Sequence, residues 1–242
     1  MVETKAEQKP IAGASGVPGQ SFVRFACYQA DSAFRRLDAN MRLQAKEDAL
    51  SAFDLFKERM TLATYNLMAT RADSDFLIRQ IADDLEILEN FAARLARSGM
   101  GPYLRMTRSY LALNSGNSGD TKLNSAELSI VSPPELASPR FLFVHPVVFN
   151  CGESDARATR QKVLGEYAGV AARHPSVKLS VGYSCGFDDQ DLVLAFEAES
   201  LSDFLELHEE IGRLAGVPRA WPGAPALMGI SPDLKLIFGA LG

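Results

Sequence analysis

Tyr167 stands in the segment SDARATRQKVLGEYAGVAAR, where Val163, Leu164, Val170 and Ala171 recur three or four positions from it. That spacing predicts a helix with one apolar stripe, which turns the Tyr167 ring inward. A buried phenol has two chemical uses. As a phenolate it can ligate ferric iron, provided a cation or the metal itself lowers its pKa from about 10. As a neutral phenol it donates a hydrogen bond, and burial makes that bond necessary. His145 precedes Pro146 at the end of an apolar run and is the best placed of the three histidines. Neutral, it could ligate a metal; protonated, it could hold a small anion. His174 lies in an Arg-His-Pro turn, where exposure is expected. His208 falls on the stripe Phe204, His208, Ile211, Ala215, where burial in the core is expected.

Other reactive side chains carry less. Cys27, Cys151 and Cys185 are odd in number, far apart and without a CxxC pair. They predict neither a disulfide framework nor a zinc site. Arg71, Asp73 and Asp75 cluster before an apolar run, as a helix cap and a salt bridge would. The net charge of -5, with basic residues scattered and nowhere in a longer run than the pair Arg35-Arg36, leaves no footprint for nucleic acid. No apolar run reaches the roughly 18 residues of a membrane span. Residues 1–20 are polar and rich in Gly, Pro and Ala, without the apolar core of a secretory signal. They predict a flexible tail and, with the reduced cysteines, a cytoplasmic protein.

These side chains need a frame. SFVRFACYQ (21–29) alternates as a strand, and RLQAKEDALSAFDLFKERM (42–60) sets Ala45, Ala49, Ala52, Phe53 and Phe56 at helical spacing. TLATYNLMATR (61–71) is a strand. A long helix is predicted from about Ser74, on the stripe Leu77, Ile81, Leu85, Leu88, Ala92, Leu95, and ends at Gly99 and Gly101. PYLRMTRSYLALN (102–114) returns as a strand. The polar, turn-rich stretch 115–137 predicts a loop. RFLFVHPVVF (140–149) is a strand and 154–173 the helix of Tyr167. VKLSVGYSCG and DLVLAFEAE form a hairpin across FDDQ. LSDFLELHEEIGRLAG (201–216) is a helix capped by Gly216, and PALMGIS adds an edge strand. The organisation is thus a tail (1–20), a first half (21–114), a loop (115–137) and a second half (138–242). Each half has the α+β, ferredoxin-like order, and two such sheets side by side can close into a barrel.

Three stretches, in order and together spanning about Phe22 to Ile237, carry a resemblance: TYNLMATRADSDFLIRQIADDLEILENFAARLARSGMGPYLRMTRSYLAL, SCGFDDQDLVLAFEAESLSDFLEL and GAPALMGISPDLKLI. They resemble the chlorite dismutase family, which includes the bacterial coproheme decarboxylases. The resemblance implies a β-barrel protomer of two ferredoxin-like repeats with outer helices. It also implies a homo-oligomer, a ring pentamer in the long forms, and heme in the C-terminal half. An axial His on the helix before the hairpin, a Glu that polarises it, a distal Arg or Gln and a Tyr-Pro-x-x-Lys segment would build that site. Carried over, the axial His falls on Tyr167 and the distal Arg on Leu179. The Tyr and Lys become His145 and Phe149, and the Glu alone remains, as Glu197.

Leu179 has no charge with which to hold a hypochlorite leaving group, and Phe149 cannot pair with a heme propionate. Together with Val147 they would line a more apolar cavity. The expectation is therefore a chlorite dismutase-like protein without chlorite-degrading activity and with weak or no heme binding, a binding or assembly module with a protein partner. In it, the Tyr167 hydroxyl would bond Glu197. The alternative is a heme-binding oxidoreductase, peroxidase-like or a sensor, with iron held by Tyr167. A non-heme metal site from His145, Tyr167 and Glu197 is a third arrangement these residue types allow.

Overall fold

The order strand, helix, strand, strand, helix, strand occurs twice, and alternating apolar residues tell each strand which faces to bury. A computed structural model describes residues 20–115, 139–149, 153–184, 186, 188–214 and 225–242. The first half comprises β1 (Gln20–Ala30), α1 (Ser32–Arg35), α2 (Ala39–Phe56), β2 (Thr61–Asn66), β3 (Phe76–Ala82), α3 (Leu85–Ala96) and β4 (Leu104–Ser115). The second comprises β5 (Phe141–Val147), α4 (Glu153–Ala171), β6 (Val177–Tyr183), β7 (Leu192–Ala198), α5 (Leu201–Gly212), β8 (Leu227–Ile230) and α6 (Leu234–Ala240). Residues 1–19 and 116–138, where the tail and loop are predicted, lie outside the described residues, as do Cys151, Cys185 and Gly216.

Within the halves the strand orders are β4-β1-β3-β2 and β8-β5-β7-β6, the same arrangement twice, and every pairing is antiparallel. The two sheets meet edge to edge, β2 against β8 and β4 against β6, and close a barrel. Each seam is held in register by a single residue pair, Asn66 with Ile230 and Leu113 with Tyr183. Closure removes the four free edges two separate sheets would expose.

The structure corrects two predicted elements. Residues 76–82 form a strand, not the start of a long helix. Leu77 and Ile81 are four apart, which suits one face of a helix and also one face of a strand. Phe76, Ile78 and Ala82 are buried as well, because one side of β3 faces the barrel interior and the other faces α2 and α3. The helix begins only after Asp84, whose carboxylate accepts from the Glu86 N–H at 2.9 Å. The second correction is β8, which is no edge strand. It lies between β2 and β5.

Three apolar clusters follow. One lies between the first sheet and its helices, one between the second sheet and α4 and α5, and one fills the barrel. Helix α6, not predicted, crosses to the first half, where Ile237, Phe238 and Leu241 are buried; Phe238 meets Phe76 edge-on at 5.8 Å.

Candidate functional site

Helix α4 turns Tyr167 onto the outer face of the second sheet, as its stripe predicts. The ring is 6% exposed. It shares one cluster with Val163 and Val170 of α4, Leu179 of β6, Phe196 of β7 and Phe204 of α5. Among the described residues its hydroxyl has no hydrogen-bond partner, and burial pushes its pKa up to about 12. The phenol therefore keeps its proton, the opposite of what a ferric ligand needs.

Glu197 does not meet it. Successive strand residues point to opposite faces. On β7, Phe196 joins the cluster of Tyr167, so Glu197 turns into the barrel. There its Oε1 accepts from Nη1 of Arg79 on β3, with each side chain 7% exposed. The expected Tyr167–Glu197 hydrogen bond is thus replaced by an ion pair, and His145, Tyr167 and Glu197 do not converge. The apolar run Leu192, Leu194, Phe196 already carried this parity.

Leu179 and Phe149 do come together with Tyr167. Leu179 is 3% exposed and pairs in register with Phe196. Phe149 is half-buried against the same cluster, and its N–H donates to Asp191 Oδ2 at 2.8 Å. Val147 belongs to the cluster too. What the sequence offered as an apolar cavity lining is a packed apolar layer among the described residues.

His145 projects from β5 toward α5, edge-on to Phe196 (5.4 Å), Phe204 (5.9 Å) and His208 (5.4 Å). Burial, and then the neighbouring His208, push its pKa down to about 4. The other two histidines reverse their expected roles. His208 is exposed because α5 buries Phe204, Leu207 and Ile211 instead. His174 is half-buried and bonded to Glu210 Oε2 at 2.8 Å, across the α4–α5 contact. The Arg71 and Asp73 pair forms as expected and also takes in Arg108, but it precedes a strand rather than capping a helix. Asp75 accepts from the Ala30 N–H at 2.8 Å. Cys27 is buried and inert, its thiol pushed up to about 12.

Sequence reasoning missed the barrel interior. Arg79 lies 6.0 Å over the Tyr65 ring and lines a pocket with Asn114, Ser180 and Gly182. Arg79 Nε and Asn114 Oδ1 have no partner among the described residues. Its space for water-sized molecules, about 30 Å³, suits one or two waters and no macrocycle. The available signal was one charge inside the apolar run FLIRQIA.

The chain as a whole is similar to known proteins. Residues 42–214 match the family model described as chlorite dismutase. The chain is 25% identical over 248 residues to a chlorite dismutase from Ideonella dechloratans, covering 98% of this chain and 84% of that one. A mutant chlorite dismutase from Candidatus Nitrospira defluvii has a similar fold, with a TM-score of 0.77 at 20% identity, over 91% of this chain and 95% of that one. So does a heme-binding protein from Thermus thermophilus, with a TM-score of 0.73 at 16% identity, over 94% and 99%.

Proposed function

We propose that this chain, which belongs to the chlorite dismutase family, does not degrade chlorite, holds heme weakly or not at all, and serves as a binding or assembly module. The observation that carries the reading is the apolar layer of Tyr167, Leu179, Phe196 and Phe149, with Glu197 turned away into the barrel. The residues present do not fit the group the family implies. Tyr167 is a buried phenol whose expected carboxylate, Glu197, pairs with Arg79 instead. Leu179 and Phe149 offer no hydrogen bond or charge to an anionic macrocycle or to a leaving oxyanion.

The alternative, a heme-dependent oxidoreductase with iron on Tyr167, would need the phenol deprotonated in an apolar layer where, among the described residues, no cation acts on it. Burial opposes that. We carry over the homo-oligomer and cytoplasmic location as part of the same reading. Among the described residues no helix is long and apolar enough to cross a membrane.

The test is a hemin titration followed at the Soret band, with oxygen release from chlorite measured at an electrode on the same samples. Weak, ligand-insensitive hemin binding and negligible oxygen are expected. Tyr167→His supplies an imidazole without its carboxylate and is expected to gain little. Tight stoichiometric binding by the wild type, with the charge-transfer bands of a phenolate complex, would restore the tyrosinate heme reading.

A further inference from the structure

The chain has three histidines. One is committed, His174 to Glu210. The other two meet: His145 on β5 and His208 on α5 have ring centroids 5.4 Å apart and ring planes crossed at 88°. Crossed planes are not a stack, and among the described residues neither imidazole has a hydrogen-bond partner. Two imidazoles that each bring one nitrogen about 2.0–2.1 Å from a shared ion, at a tetrahedral angle, set their centroids roughly 5 Å apart. The observed spacing is of that size.

The surroundings define which ion. His145 is fixed edge-on against Phe196 and Phe204, and His208 stacks on Phe204 one helical turn earlier at 5.5 Å. One ligand is therefore held in place by packing, while the other is exposed and gives an ion a way in. A neutral imidazole keeps one ring nitrogen whose electron pair is free for a metal. Among the described residues no third His, Cys, Asp or Glu completes a cluster with them. A hard ion such as calcium or magnesium, which wants oxygen ligands, has nothing to bind. Imidazole suits copper, nickel and zinc.

We propose that His145 and His208 form an open two-histidine site for a late first-row divalent metal ion, with the remaining coordination positions left to water or an exogenous ligand. The site does not rest on the heme reading above. It uses neither Tyr167 nor iron, and it is tested without hemin.

The probe is copper(II) iminodiacetate, whose chelator fills part of the coordination sphere and leaves positions for two imidazoles. Binding to the full chain is followed by calorimetry and by nitrogen hyperfine structure in the electron paramagnetic resonance spectrum. One equivalent per chain with two coordinated imidazole nitrogens, beside the amine nitrogen of the chelator, is expected. Losing a mere outer-sphere partner of a metal ligand costs about 10–100-fold in affinity, so losing a ligand is expected to cost at least about tenfold. His208→Ala, at an exposed position, tests this without threatening the fold. His145→Phe tests the other ligand, its folding checked by circular dichroism. His174→Ala is expected to bind as the wild type does. Equal binding by wild type and His208→Ala, a spectrum with only one imidazole nitrogen added to that of the chelator, or no stoichiometric binding overturns the proposal.

Discussion

Arg79 on β3 and Glu197 on β7 form a buried ion pair inside the barrel, and it joins the two halves. Counted from their first residues, Arg79 stands where β7 has Ala195, and Glu197 where β3 has Ile81. Each repeat therefore supplies one charge that its partner lacks. The seams themselves are ladders of one register pair each, so this interior pair helps fix how the halves meet.

Removing one partner leaves the other charge buried and alone. Arg79→Met and Glu197→Leu are each expected to cost about 3–5 kcal/mol. The double variant Arg79→Met/Glu197→Leu, which leaves no orphan charge, is expected to lose much less than the sum. Urea unfolding of the four proteins gives the cycle. Additive losses would show that the pair is not coupled.

The seams also depend on two glycines. A Cβ on Gly182 of β6 would lie 2.4 Å from the Ala112 Cβ of β4, and one on Gly229 of β8 would lie 2.6 Å from the Tyr65 Cβ of β2. Both contacts cross from one half to the other. Gly182→Ala and Gly229→Ala are each expected to destabilise by about 1–3 kcal/mol through overpacking. Adding Ala112→Gly to Gly182→Ala is expected to recover part of the loss in a thermal melt. A Gly182→Ala protein as stable as the wild type would mean the seam yields.

The Tyr167 hydroxyl is the next test. A buried hydroxyl with a partner leaves that partner unsatisfied when deleted, at a cost of about 1–3 kcal/mol. With no partner among the described residues, Tyr167→Phe is expected to change stability by less than about 1 kcal/mol. Tyr167→Ala removes the ring itself and is expected to cost about 3–5 kcal/mol. A large loss in Tyr167→Phe, read by denaturant unfolding, would reveal a bonded hydroxyl.

His145 makes stability depend on pH. Its folded pKa is lowered from the usual 6.5 to about 4. Between those values the unfolded chain binds the extra proton, so folding stability is fully present above about pH 6.5 and falls as the pH drops toward 4. The fall is on the order of 3 kcal/mol at most. His145→Phe keeps an aromatic ring among Phe196 and Phe204 and is expected to flatten this part of the profile, measured as unfolding free energy against pH. An unchanged slope would place the proton elsewhere.

The sequence by itself determined what depends on local period. It determined the strand, helix, strand, strand, helix, strand order of the second half, and of the first half all but β3, because alternation and helical spacing are properties of consecutive residues. It put Tyr167 inward, because the three-and-four spacing of Val163, Leu164, Val170 and Ala171 defines one helix face. It aligned Tyr167, Leu179 and Phe149 with one region of the family plan, and the fold brings them into one layer. Where two periods agree, as at Leu77 and Ile81, the sequence could not choose, and packing on both faces of β3 decided for strand. Tertiary structure alone decided partners. Barrel closure placed β8 between β2 and β5 rather than at an edge. It also brought Arg79 to Glu197 across 118 positions of chain, and the α5–β5 contact brought His208 to His145. A one-residue step along a strand reverses a side chain's face, so which residues meet is settled only when both strands and their neighbours are in register.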